Sequence, residues 1–311
     1  QNLAAKNKSN FLNSNAHKFN TESYIERAAF TQYYEAHKNE KIMFLLGEAG
    51  MGKTNEMCHL IEKSDKTKKA QYFAFNSQVL DHKIDFLLLN MFVDAGFNQK
   101  DISIEAILNK LNSFGIATNT RFYFLFDAIN EATSYPIVDD RFIAYPTLQL
   151  LKDLHRLFLK EGYKQFSLII SIRSTPFEHL KNRIATELYL DFSQTPTFSL
   201  EQFTNQELLW IFERYKKQYD IQTSIEQFKS VEFSRIRSSL ASPLLFKLVV
   251  QGYEGNSLPE HIEKYDFVEI VRNLMSKNLY ESNFNAYELL LRLTATFRKR
   301  HIDSLDISRV I

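Results

Sequence analysis

Residues 47–54 read Gly-Glu-Ala-Gly-Met-Gly-Lys-Thr, and no other stretch of the 311 residues restricts the fold as sharply. The pattern is G-x-x-x-x-G-K-[ST]. The chain has only eight glycines, and three of them, Gly47, Gly50 and Gly52, lie here. The flanks agree with the motif. The apolar run 41–46 (KIMFLL) predicts a buried strand, and residues 53–63 (KTNEMCHLIEK) have helical character. Glycines at such a turn let the backbone take positive φ and approach phosphate oxygens closely. Successive N–H groups then form an anion nest at the positive end of the following helix. On this reading Lys53 neutralises the β- and γ-phosphates and the Thr54 hydroxyl ligates Mg2+. The bland alternative is a glycine turn with a chance Lys-Thr, which the matching flanks disfavour.

Further strands follow at 70–75 (AQYFAF), 121–126 (RFYFLF, ending in Asp127) and 166–172 (FSLIISI), with a short one at 196–200. Helical spacing appears at 84–94, 102–114 and 146–161. Near-continuous apolar strands alternating with helices predict an α/β fold, a parallel sheet flanked by helices. After residue 203 the pattern becomes helical, at 204–219, 223–240, 242–253 and 258–280. The expected organisation is a weakly ordered segment 1–21, a P-loop NTPase domain 22–203, a helical domain 204–283 and the start of a further unit at 284–311. Because that last unit begins without finishing, we read the chain as a piece of a longer polypeptide.

Composition excludes several classes. The formal charge is 38 − 37 = +1, which gives no global pull toward nucleic acid or an anionic membrane. No apolar run reaches the roughly 18 residues that a membrane helix needs. Cys58 is the single cysteine, so no internal disulfide forms and a cytoplasmic location fits best. Its thiol is expected to be packed, Trp210 to pack the helical part, and the histidines show no zinc spacing.

A phosphate loop needs a carboxylate that holds Mg2+ at the end of a neighbouring buried strand. Asp127 follows the apolar run 122–126 directly. Glu131, four residues on, is placed as the general base that polarises an attacking water, although Asn130 could orient that water instead. Arg173, after the strand 166–172, fits as a sensor of the γ-phosphate.

This order of motifs resembles the STAND class of P-loop NTPases, in particular NACHT-like modules. The resembling residues are Gly47 to Thr54, Asp127-Ala128-Ile129-Asn130-Glu131-Ala132, Ser171 to Pro176 with Arg173, and Ala241-Ser242-Pro243-Leu244-Leu245-Phe246. The resemblance implies that Gly47, Glu48, Ala49, Gly50, Met51, Gly52, Lys53, Thr54 and Asn55 hold ATP or ADP, with Thr54 and Asp127 on Mg2+. It implies a segment at Tyr24-Ile25-Glu26-Arg27 that packs on adenine, which gives Ile25 a binding role, and places Pro243 near the base. It implies that the last unit begins a winged-helix domain. NACHT modules often carry a second Asp where this chain has Asn130, which bears on the hydrolysis rate. The function implied is a nucleotide switch. A trigger, protein or nucleic acid, is sensed outside this chain, ADP exchanges for ATP, and the module forms a homo-oligomer with slow ATP hydrolysis, in antiviral defence or stress signalling. The alternatives are an AAA+-like DNA-associated ATPase, such as an initiator or transposition regulator, and a scaffold that binds nucleotide without hydrolysing it.

Overall fold

A computed structural model describes residues 2–16, 18–63, 69–76, 84–85, 88–89, 103–131, 144–231 and 233–259. The chain divides into two compact units, 1–202 and 203–311. The first opens with helices α1 (Asn2–Ser14) and α2 (Ala28–His37), followed by β1 (Ile42–Leu46) and α3 (Lys53–Lys63). Then come β2 (Ala70–Asn76), α4 (Ile104–Thr118), β3 (Arg121–Asp127), a 3-10 turn (Ile129–Glu131) and α5 (Ala144–Phe158). β4 (Phe166–Ile172), α6 (Ser174–Leu188) and β5 (Thr197–Ser199) complete it. All neighbouring strands pair in parallel, in the order β2-β3-β4-β1-β5. The runs read as buried strands are strands because apolar side chains on both faces meet helices.

The two faces sort by strand alternation. One carries Phe44, Phe73, Phe75, Phe122, Phe124, Phe126 and Phe166 against α4, α5 and α6. The other carries Met43, Leu45, Ala74, Tyr123, Leu125 and Ile169 against α1, α2 and α3. Ser103 caps α4 by accepting the Ala106 N–H.

Several expectations need correction. The first residues, expected to be weakly ordered, form α1, with Phe11 and Asn15 buried. The Asn7 side chain accepts the Ala74 N–H (2.8 Å) and donates to its carbonyl (3.2 Å), which ties α1 to the edge strand β2. The stretch after Arg173, left unassigned by the apolar pattern, is the helix α6. The carboxylate strand β3 is not hydrogen-bonded to β1, because β4 lies between them. Trp210 does not pack inward; it is 47% exposed.

The second unit contains α7 (Asn205–Gln218), α8 (Ile225–Lys229), α9 (Ser234–Ser239) and α10 (Pro243–Gly252). The single helix expected over 223–240 is two short ones. Thr204 and Glu207 form a capping box at the start of α7, and Ser224 and Gln227 form another at α8. Phe212, Phe228 and Phe246 cluster in its core, with Phe212 and Phe228 stacked 4.0 Å apart. Residues 258–259, expected to open a helix, are not helical; the rest of that expected helix, 260–280, and the unit from 284 onward lie outside the described residues, as does most of helix 84–94. Ile84 and Leu88 of the latter are buried against the aromatic face.

Candidate functional site

The loop between β1 and α3 is shaped by its glycines. Gly47 has φ 149°, and a Cβ there would lie 2.9 Å from the Leu200 carbonyl, so no other residue fits without moving β5's exit. Gly52 has φ 96°, and a Cβ added there would meet nothing within 4 Å, leaving open room beside the start of α3. The first N–H groups of a helix have no acceptor within it. Here the first helical bond of that turn is the one the Glu56 N–H donates to Gly52.

Lys53 is buried, and its Nζ donates to the carbonyls of Gly47 (2.5 Å) and Glu48 (3.0 Å). Burial lowers the Lys53 pKa below the ordinary lysine value, and Arg173 adds to this, while Asp127, Glu48 and Glu131 oppose it. An anion at the loop would favour the charged form and oppose this lowering.

The ends of β3 and β4 and the start of α3 bring the residues weighed from the sequence together in two groups. The Thr54 hydroxyl donates to Asp127 Oδ2 at 2.7 Å. Arg173 pairs with Glu131 at 2.6 Å, and the Arg173 N–H donates to Asn130 Oδ1 at 3.0 Å. Asn130 therefore holds the start of the Arg173 segment. The Arg173–Glu131 side chains are 41% and 36% exposed, so their pairing is worth at most about 1 kcal/mol and is easily exchanged.

Other predicted residues lie elsewhere. The exposed Glu48 side chain turns to α6, where Oε1 accepts from the Thr175 N–H (3.2 Å) and hydroxyl (2.9 Å). Met51 packs partly against the α3 face of the sheet, Ala49 is exposed, Gly50 has φ 80°, and Asn55 is half-buried. Ile25 is buried, between Tyr24, which stacks on His59 and donates to Glu56 Oε2 (2.7 Å), and Arg27, which donates to the carbonyls of Glu201 and Gln202. Pro243 begins α10 in the second unit.

Sequence reasoning named Ser171 only as the start of a motif and gave it no role. It is fully buried, donates to Asp127 Oδ1 at 2.6 Å and accepts the Ala128 N–H at 2.7 Å. The available signal was a serine near the C-terminal end of a largely apolar strand, in the position that alternation places on the same face as Ile169. Cys58 is packed as expected, and burial pushes its thiol up to about 12. Among the described residues no group of His, Cys, Asp or Glu forms a metal cluster, and no helix is long and apolar enough to cross a membrane.

The residues suit a nucleotide with Mg2+ on two counts. Open room beside Gly52 adjoins a buried lysine, and Thr54 with Asp127 offers hard oxygen donors at the loop's end. A parallel sheet with this loop between its first strand and a helix, and an acidic strand end facing it, defines a P-loop NTPase. The NACHT domain matches residues 41–219, more than half of the chain, and the chain belongs to that family, within the STAND class. The fold is similar to that of the Walker-type ATPase of Pyrococcus abyssi, at 12% identity and TM-score 0.54, covering 86% of this chain and 78% of that one. The ADP form of the ORC2 protein of Aeropyrum pernix matches at 15% identity and TM-score 0.47, over 89% and 75% of the two chains. A STAND protein with a tetratricopeptide repeat sensor from Pyrococcus horikoshii matches at 14% identity and TM-score 0.39, over 79% of this chain and 32% of that one. Among curated proteins no sequence matches the chain significantly.

Proposed function

We propose that the chain is the switch module of a STAND ATPase. It binds ATP or ADP with Mg2+, hydrolyses ATP slowly and forms a homo-oligomer when ATP replaces ADP. The observation that carries this reading is the convergence of Lys53, Thr54, Asp127, Glu131 and Arg173 at one end of the sheet. Lys53 binds the β- and γ-phosphates. Thr54 and Asp127 would hold Mg2+, whose charge would draw electron density from the γ-phosphoryl group. Glu131 takes the proton of the attacking water.

In the structure Glu131 is engaged by Arg173. The γ-phosphate of ATP is a stronger anion for Arg173 than an exposed carboxylate, so binding ATP releases Glu131 to act as base. ADP leaves the pair in place. This gives the two states of a switch a physical difference at the site. Ile25 contacts the base. The trigger, a protein or nucleic acid, is sensed outside this chain, in antiviral defence or stress signalling in the cytoplasm.

Lys53→Ala tests the reading. ATP affinity measured by titration calorimetry should fall at least about a hundredfold, since a charge-assisted phosphate contact is lost inside a buried site. Light scattering of the full-length protein with its trigger should show an ATP-dependent oligomer that this variant cannot form. Retained affinity and assembly in Lys53→Ala would overturn the assignment.

A further inference from the structure

We infer that Ser171 is a positioning residue for the Mg2+-binding carboxylate. The inference rests on the reading of Asp127 as a metal ligand and goes beyond it. β4 separates β3 from β1, so Asp127 must reach past β4 toward Thr54 at the start of α3. Leu125 pairs with Ile169 in the parallel register, and both belong to the face covered by α3. Two residues further along each strand, on that same face, stand Asp127 and Ser171. A large side chain at 171 would fill the space through which the carboxylate and hydroxyl meet. Serine is small enough and supplies a donor.

Its single hydroxyl is used in both directions. It donates to Asp127 Oδ1 (2.6 Å) and accepts the Ala128 N–H (2.7 Å). Ala128 has φ 53°, a left-handed conformation that a non-glycine residue adopts only when its surroundings impose it. The Ser171 hydroxyl therefore fixes the carboxylate and the backbone kink immediately after it. Asp127 Oδ2 is left facing Thr54. Residues that orient a metal ligand from behind typically change metal affinity about 10- to 100-fold when lost.

The test uses the whole chain and measures nucleotide binding by fluorescence with a labelled ADP, first in EDTA and then across a Mg2+ titration. Asp127→Asn is the reference variant, and Ser171→Ala and Ser171→Cys are the probes. The cysteine nearly preserves volume while weakening the hydrogen bonds, so it carries the test if the alanine variant fails to bind ADP even in EDTA. Expected are unchanged ADP binding without metal and a Mg2+ requirement raised about tenfold in the Ser171 variants, in the same direction as in Asp127→Asn. If Asp127→Asn raises the Mg2+ requirement while the Ser171 variants stay within about twofold of the parent, the positioning role is overturned and the site reading survives. If Asp127→Asn leaves the Mg2+ dependence unchanged, the reading of Asp127 falls and the positioning role falls with it.

Discussion

The two faces of the central sheet are built from the same strands and differ in nearly every other respect. One is apolar from end to end and rich in phenylalanine: Phe122, Phe124 and Phe126 of β3 meet Phe73 and Phe75 of β2 and Phe166 of β4, with Ile42, Leu46, Leu168, Ile170 and Ile172 beside them. The rings interlock, with Phe75 and Phe126 stacked at 5.0 Å and Phe124 edge-on to Phe166 at 5.4 Å. The other face is apolar only in its middle, at Met43, Leu45, Leu125 and Ile169. At its C-terminal end the alternation runs into Asn76, Asp127 and Ser171, and at its N-terminal end Arg121 donates to Ser167 at 2.9 Å. A strand that reverses its side chains at every residue can thus give one side to cohesion and the other to chemistry. A substitution on one side should leave the other side's property largely intact.

The hardest blow to the comparison is Phe124→Ala. It should cost about 3–5 kcal/mol of stability in denaturant titration, with nucleotide affinity unchanged in the protein that stays folded. A large affinity loss without destabilisation would show that the aromatic face also shapes the site. Thr54→Ala probes the other side. It should weaken Mg2+-nucleotide binding about tenfold while shifting the thermal midpoint little, because Thr54 is only half-buried. Cys58 tests whether the middle of the chemical face is as dry as the aromatic one. Burial raises its thiol from 9.0 to about 12. The unfolded thiol ionises first, so this contribution to stability is complete below about pH 9 and is lost as pH rises toward 12. Iodoacetamide at pH 8 should therefore modify Cys58 at least about a hundredfold more slowly in the native protein than in urea. Equal rates would show an open face. The smallest effect is expected of Trp210→Ala, whose ring lies outside the second unit's core, with a change within about 0.5 kcal/mol.

The loop and its strands were legible because their signals are local. Glycine spacing reports backbone conformation directly, and runs such as FSLIISI have nowhere to go but a buried strand. The Lys53–Lys63 helix and the Asp127 strand end followed from the same signals. The rest depends on contacts between distant residues. α1 carries the polar sequence NLAAKNKSNFLNS and is held by Asn7, Phe11 and Asn15, none of which marks a helix by itself. Nothing in the apolar pattern places β4 between β1 and β3, and without that order Ser171 is an ordinary strand serine. Trp210 was expected to pack the helical part, yet it stands 47% exposed on α7 among the described residues.

The Asn7 amide has a consequence for how the protein behaves in concentrated solution. β2 is a border of the sheet among the described residues, and a border strand offers its main-chain groups to any extended segment from another molecule. By occupying both main-chain groups of Ala74, in the middle of that border, one side chain breaks the run on which a foreign strand could zip. Copies of this protein that meet are thereby steered away from strand-to-strand joining, and ordered assembly is left to other surfaces.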